Sequence, residues 1–537
     1  MARAGVLSKV LAVALTFAAP AAVVSVPTVS YAQVTAFKQA VAEAASRDED
    51  IAAFYRQNGY GAIWTGAGDA DRARRAQLIH AILNADDHGL PVARYEAEAL
   101  MDMLAAVRTP RDRGMAEVEM SRVFLKYARD IQTGMLIPSR IDPSMVRDVP
   151  YRDRTAYLTD LSTAKPAAFF RALPPTSMEY NALIKEKVAM ERLLVSGGWG
   201  ASVPAKSLKP GDTGPAVIAL RNRLIAMDYL ERTNKRTYDT GMQAAVQQFQ
   251  IDHGLNDDGV AGAATMRQIN VGVEKRLQSV MVALERERWF NTERGKRHIL
   301  VNIPDFSAKI MDDGKITFRT RSVVGATQTD RHTPEFSDVM EHMVINPSWY
   351  VPRSIITKEY LPALKRNRNA ASHIQITDRR GRVVNRSSVN FAAYTERNFP
   401  FSIRQPPSRS NALGLVKFMF PNKYIIYLHD TPAKSLFARD VRAFSHGCVR
   451  LAQPFDFAYE LLSKQEGDPK GYFQSILRSG SETKVVLNEP VPVHLIYRTA
   501  VTNARGHTEY RADIYGRDAK IWSALSRAGV VLGGVQG

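Results

Sequence analysis

Two stretches decide how this chain reads: KYIIYLHD at 423–430 and FSHGCVRL at 444–451. The second holds Cys448, the one cysteine in 537 residues. Tyr424 to Leu428 is an unbroken apolar run, which predicts a buried strand, with His429 emerging at its end where polar groups meet solvent. The segment between His429 and His446 is long enough for a hairpin-like excursion that brings His429 back beside Cys448. A free thiol, with a reference pKa of about 8.5, is mostly protonated at neutral pH, whereas the thiolate does the chemistry. A histidine neighbour can take the proton, and cationic surroundings favour the anion. Arg439, Arg442 and Arg450 make this stretch basic. Gly447 lets the backbone turn sharply, and the amides of Gly447 and Cys448 are natural oxyanion donors. Two duller readings compete. One is a buried structural cysteine, although Ser-His-Gly-Cys is a poor composition for a core strand. The other is a zinc site on His429, His446 and Cys448, but no HExxH pattern accompanies them and Arg450 would oppose a cation.

Working outward, residues 298–485 read as a β-rich domain. HILVNIPDF, AKIMDD, ITFRTRSVV and MEHMVINPSW are short apolar or alternating runs separated by Gly, Asp and Pro. Residues 353–410, polar and rich in Arg and Asn, interrupt the pattern as an inserted lobe that acts as a lid. Strand character returns at LVKFMF, and a helix starts at Pro454. Residues 486–537 form a C-terminal extension.

Residues 33–200 have helical spacing and no catalytic cluster, so they read as a scaffold. A compact three-helix unit follows at 205–272, opening LKPGDTGPAVIALRNRL with Leu208, Val217, Leu220 and Leu224 on one face. It continues through MQAAVQQFQ to the glycine-rich turn GLNDDGVAGAAT. A connecting helix at 273–297 links it to the β-rich part.

The start of the chain reads as a secretory signal over 1–32. Arg3 and Lys9 precede an apolar run from Val10 to Val24, and Ser30-Tyr31-Ala32 gives a small-x-small cleavage site. No later stretch is apolar enough for a membrane span. Cleavage lowers the net charge from +18 to +16 by removing Arg3 and Lys9. The basic balance suggests acidic partners. Export argues against nucleic acid and for a polyanionic wall or surface. One cysteine in an exported chain also excludes an internal disulfide.

The module at 205–272 resembles the peptidoglycan-binding module of wall enzymes, with Asp258-Gly259 and Gly262 at its DG-x-x-G turn. LHDTP and SHGCVRL resemble the L,D-transpeptidase family with a YkuD-type catalytic domain. INPSWYVP, RQPPSRSNALGLVKFMFPN and DIYGRD extend the likeness to its large Gram-negative branch. The resemblance implies a multidomain α+β chain: helical scaffold, peptidoglycan-binding module, and β-rich catalytic domain with a capping lobe at 353–410. It implies that Cys448 is the nucleophile and His429 the general base. Gly447 and Cys448 supply oxyanion donors, while Ser445, His446 and Arg450 shape the site, Arg450 also meeting a substrate carboxylate. The expected activity forms 3-3 cross-links between peptidoglycan stems through a cysteine thioester, releasing D-alanine, in the periplasm. The family is typically carbapenem-sensitive. The partners are stem peptides and glycan, and no cofactor or metal is needed. Outer-membrane proteins or water are alternative acceptors, and a non-catalytic wall-binding scaffold is an alternative of another class.

Overall fold

The structure is a computed structural model that describes residues 29–503 and 506–533. The signal expected at 1–32 lies outside the described residues except for 29–32, which open a helix at Val29–Ala45. Among the described residues no helix is long and apolar enough to cross a membrane.

Alternating apolar runs from residue 297 onward form β1 (Arg297–Asn302), β2 (Ser307–Asp312), β3 (Lys315–Gly325) and β4 (Phe336–Ile345). An inserted lobe carries β5 (Trp349–Tyr350), β6 (Gln375–Thr377) and β7 (Ser402–Gln405). The chain then returns through β8 (Val416–Met419), β9 (Leu428–His429), β10 (Ala443–Ser445), β11 (Val449–Leu451) and β12 (Thr483–Ile496). The main sheet runs β3-β11-β9-β8-β4-β12-β1-β2, and β2 pairs back onto β3, so the ladder closes on itself. Closure depends on the length of β3. Its first part, Lys315–Arg321, pairs with β2, Ser322 and Val323 pair with β11, and its end meets β10. Pairs β1–β12, β9–β11 and β3–β10 are parallel, and the others antiparallel. A closed ladder leaves the strands of the ring no edge on which another chain could template, and β10 sits outside it against the end of β3. Ile299, Val301, Met343, Phe418, Leu428 and Val449 share one apolar core with Phe457 and Leu461 of helix Pro454–Leu462.

The strand expected over 424–428 is shorter than its apolar run. Pro421-Asn422 turns the chain, and Ile425 takes a left-handed φ of 57°. Pairing begins only at Leu428.

The lobe is built from more than loop. β5, β7 and β6 form their own sheet, and Ile355, Leu361, Leu364, Phe391 and Phe399 pack into a separate core that reaches back to Val351. The three-helix module likewise has its own core of Leu208, Val217, Leu220, Leu224, Val246 and Phe249.

The helical region is organised around Pro110–Thr133, opened by a capping box between Thr109 and Asp112. Its core is completed from far along the chain. Leu277, Val280 and Leu284 of helix Val273–Trp289 pack into it, as do Ile521 and Leu525 of helix Arg517–Arg527. β12 also continues, with a register shift between Val486 and Val491, past residue 486, where the C-terminal extension was expected to start. Buried charges weld these parts together. Arg286 pairs with Glu335 at 2.7 Å and with Asp518 at 3.1 Å, and Arg517 reaches the same Glu335 at 3.1 Å.

Candidate active site

Strand register places the chemistry. β9 and β11 run parallel with Leu428 opposite Val449 and His429 opposite Arg450. The Val449 amide donates to the Tyr427 carbonyl at 3.1 Å. Paired residues share a face and neighbours along a strand alternate. Leu428 and Val449 are therefore committed to the core, where both are fully buried. Tyr427, His429, Cys448 and Arg450 occupy the other face, with His429 one strand-step diagonal to Cys448.

The thiol of Cys448 donates to the Ile425 carbonyl at 3.6 Å and meets the Tyr427 hydroxyl. Ile425 is β-branched at positive φ, a strained conformation. Asn422 holds it there. Its Oδ1 accepts from the amides of Tyr424 at 3.0 Å and Ile426 at 3.2 Å, and its Nδ2 donates to the Ile426 carbonyl at 2.8 Å.

His429 is held by the backbone carbonyls of Asp430, at Nδ1, and Leu413. The Asp430 carbonyl only accepts, so Nδ1 carries the proton. Asp430 is buried and braced in turn by Lys434 at 2.6 Å, the Thr431 amide at 2.7 Å and the Leu415 amide at 2.9 Å. Gly414 makes room for it: a Cβ there would lie 2.2 Å from Asp430 Oδ2.

Gly447 has φ 115°, which favours glycine. Its amide donates to Ser445 Oγ at 3.1 Å, and Ser445 Oγ donates to the Cys448 carbonyl. Of the two expected oxyanion donors, the Gly447 amide is therefore engaged within its own turn. The Gly447 carbonyl accepts from Thr333 Oγ1 at 2.7 Å, which itself accepts from the Gly325 amide at 2.8 Å. The Tyr515 hydroxyl donates to the Gly325 carbonyl at 2.6 Å. His446 turns away to the lobe, where its Nε2 lies 2.6 Å from Glu359 Oε1, and Arg331 joins the same carboxylate at 2.8 Å. His429, His446 and Cys448 do not come together as a metal-ligand group among the described residues.

Burial pushes the Cys448 thiol up to about 11, against the lowering effects of Tyr427 and Arg450. Burial, then Arg450, drives His429 down to about 3, against the Asp430 and Leu413 carbonyls. The resting pair is thus neutral thiol and neutral imidazole. This corrects the expectation that basic surroundings would favour the thiolate: Arg450 acts in that direction, but desolvation outweighs it. Arg439 and Arg442 line a different cleft.

Reading by motif missed Tyr427, Asn422, Thr333 and Glu359. Tyr427 was within reach, since it stands two residues before His429 in a strand and so shares its face. Asn422 follows Pro421, a turn signal. Thr333 and Glu359 carry no local signal.

A closed, largely antiparallel barrel with a cysteine and a histidine on one face of neighbouring parallel strands defines a class: a β-barrel domain with a cysteine–histidine face. Comparison with known families makes it specific, for residues 296–483 match the YkuD L,D-transpeptidase catalytic domain. Residues 49–186 match the "Scaffold domain" and residues 213–269 the "Putative peptidoglycan binding domain". This chain therefore carries an L,D-transpeptidase catalytic domain of the YkuD family, joined to a scaffold domain and a peptidoglycan-binding domain. It is also similar to a "Putative L,D-transpeptidase" of Haemophilus influenzae, 34% identical over 225 residues. That match spans 42% of this chain and 45% of the relative, so less than half of either is compared. The crystal structure of an L,D-transpeptidase (residues 123–326) from Xylanimonas cellulosilytica aligns with 14% identity and a TM-score of 0.17, over 54% of this chain and 98% of that one.

Proposed function

We propose that this chain is an exported enzyme of the periplasm that joins peptidoglycan stems by cysteine acyl transfer. The observation that carries the reading is the β9–β11 register, which puts His429 and Cys448 on one face of adjacent strands within the catalytic domain. Cys448 is the nucleophile and His429 the base. Sγ attacks the carbonyl carbon of the third residue of a tetrapeptide stem as the thiol proton passes to His429 Nε2. Starting from a neutral pair, proton transfer accompanies attack rather than preceding it. The bond to the terminal D-alanine breaks, and its nitrogen leaves with the proton from His429. The thioester divides one hard acyl transfer into two easier ones. An amine of a neighbouring stem then attacks the thioester and gives its proton to His429, Cys448 is released, and a 3-3 cross-link results. Arg450, on the same face, meets a substrate carboxylate, and Ser445, Gly447 and His446 hold the turn that presents the thiol.

In this reading residues 33–200 form the scaffold, 205–272 hold the wall, and the lobe caps the substrate groove. Purified protein incubated with tetrapeptide stems, followed by mass spectrometry, tests it. The expected product is a dimer one D-alanine lighter than two stems, absent with Cys448→Ala. A tripeptide product instead would make the chain a carboxypeptidase. Unchanged stems, in protein whose Cys448 still reacts with iodoacetamide, would sink the reading. A carbapenem should add covalently at Cys448.

A further inference from the structure

A second cavity, about 400 Å³, opens between the three-helix module and the barrel. Its walls come from four places: the module's second helix end and turn (251–257), the turn into β2 (305–307) with β3, the segment after His429, and Arg511. Arg511 fixes their relation. Its Nη1 donates to the Asp252 carbonyl at 2.6 Å and its Nε to Asp305 Oδ1 at 2.6 Å. Gly254 admits it, since a Cβ there would approach Arg511 Cδ to 2.9 Å.

The lining is rich in guanidinium. Arg319, Arg321, Arg439, Arg442 and Arg511 face Asp257, Asp305 and Asp440. Asp305 is already taken by Arg511 and lies 3.6 Å from Arg319. Arg442 Nε is buried without a hydrogen-bond partner, although its Nη1 donates to the Arg439 carbonyl at 2.8 Å, and Arg321 repels its charge while Asp305 and Asp440 attract it. Five guanidinium groups, one of them with an unused buried donor, against three carboxylates at a junction between domains favour an anionic ligand. The cavity is also near the proposed chemistry. Gln453 in its wall is five residues beyond Cys448, no more than about 18 Å along an extended chain.

We infer that this cleft binds the carboxylates of an acidic wall peptide, gripping it between the module and the catalytic barrel. The inference rests on the function proposed above. Guanidinium pairs recognise carboxylate in a planar, two-point manner. A peptide held there sits within about one stem length of Cys448, so the module and barrel act on one wall strand together rather than as a tether and a separate catalyst.

The test uses the full chain and the Arg319→Gln/Arg439→Gln double variant, both positions being exposed. Iodoacetamide alkylation of Cys448 should keep its rate, which shows that barrel and thiol are intact. KM for an acidic tetrapeptide stem should rise about tenfold, with kcat changed by no more than about twofold. A stem whose free side carboxylates are amidated should show the same KM with both proteins. Equal KM values for the acidic stem would overturn the inference. So would inorganic phosphate displacing the acidic stem as well as another stem does, since the cleft would then be a general anion hole. If the wild type forms no product from any stem, the proposed function fails on its own. Calorimetric binding of the acidic stem, lost in the double variant, would still support the cleft, and binding unchanged there would sink it.

Discussion

His429 lies directly across from Arg450 on the parallel β9–β11 pair, one step along from Cys448. The guanidinium therefore acts on both groups, holding the imidazole down and easing the thiol down from the height to which burial lifts it.

Replacing Arg450 with Met should move the alkylation profile of Cys448 by iodoacetamide further into the alkaline range. The wild-type thiol, at about 11, should already react sluggishly at pH 8. The variant should be slower still at that pH, and the His429 pKa should climb back toward 6.5. A superimposable profile would remove Arg450 from the electrostatics of the site.

Thr333 is a second, hidden support. Thr333→Val strips the partner from both the Gly447 carbonyl and the Gly325 amide, two groups in a buried setting. A loss of about 1–3 kcal/mol in unfolding free energy is expected, as for unsatisfied buried groups. Acylation of Cys448 should slow, since Gly447 loses its anchor. Thr333→Ser should restore both, and a rescue of neither would mean that Thr333 acts by shape alone.

The lobe docks on the site through Glu359, which meets His446 and Arg331. Both contacts are partly exposed, so Glu359→Ala should cost less than about 1 kcal/mol of stability. Its effect should appear instead in hydrogen exchange, with the acceleration largest over 353–366, which carries Glu359, and smaller across β6 and β7, which share the lobe's own core with it. Uniformly faster exchange through the lobe would show that it has no independent core.

Acid should weaken the fold through histidines kept neutral by burial. His429 is held down to about 3 and His494 to about 4, burial being the main cause in each. Between those values and 6.5 the unfolded chain binds protons that the native chain refuses, so stability is complete above pH 6.5 and is lost as pH falls. For each the loss by pH 4 is about 3 kcal/mol. Denaturant titrations from pH 7 to 4.5 should show the decline, and a flat curve would contradict it.

Much of this was legible in the sequence because it rests on local pattern. Alternating runs gave the strands around 298–345, glycine and proline marked the module's turns, and Ser-His-Gly-Cys stood out as chemistry out of place in a core. The misses share a physical origin. Thr333 and Tyr515 meet Gly325 and Gly447 only because β3 is long enough to serve three partners, a tertiary fact. Ile425 looks like strand by composition, yet four hydrogen bonds to Asn422 hold the turn around it against its β-branched preference. The direction of the Cys448 shift was misjudged because desolvation depends on what covers the sulfur, and counting nearby arginines says nothing of that.

The helical core that takes residues from 37–190 also takes residues from 500–530. For a ribosome this is a matter of time. Residues near 190 are made roughly 300 residues before the last pieces of the same core, an interval of about 15–60 s at ordinary elongation rates. Through that wait Glu186 of helix Met178–Val195 lacks the Tyr510 hydroxyl that donates to it at 3.0 Å. Most of that core can gather early, but its last face closes only when residues 500–530 arrive.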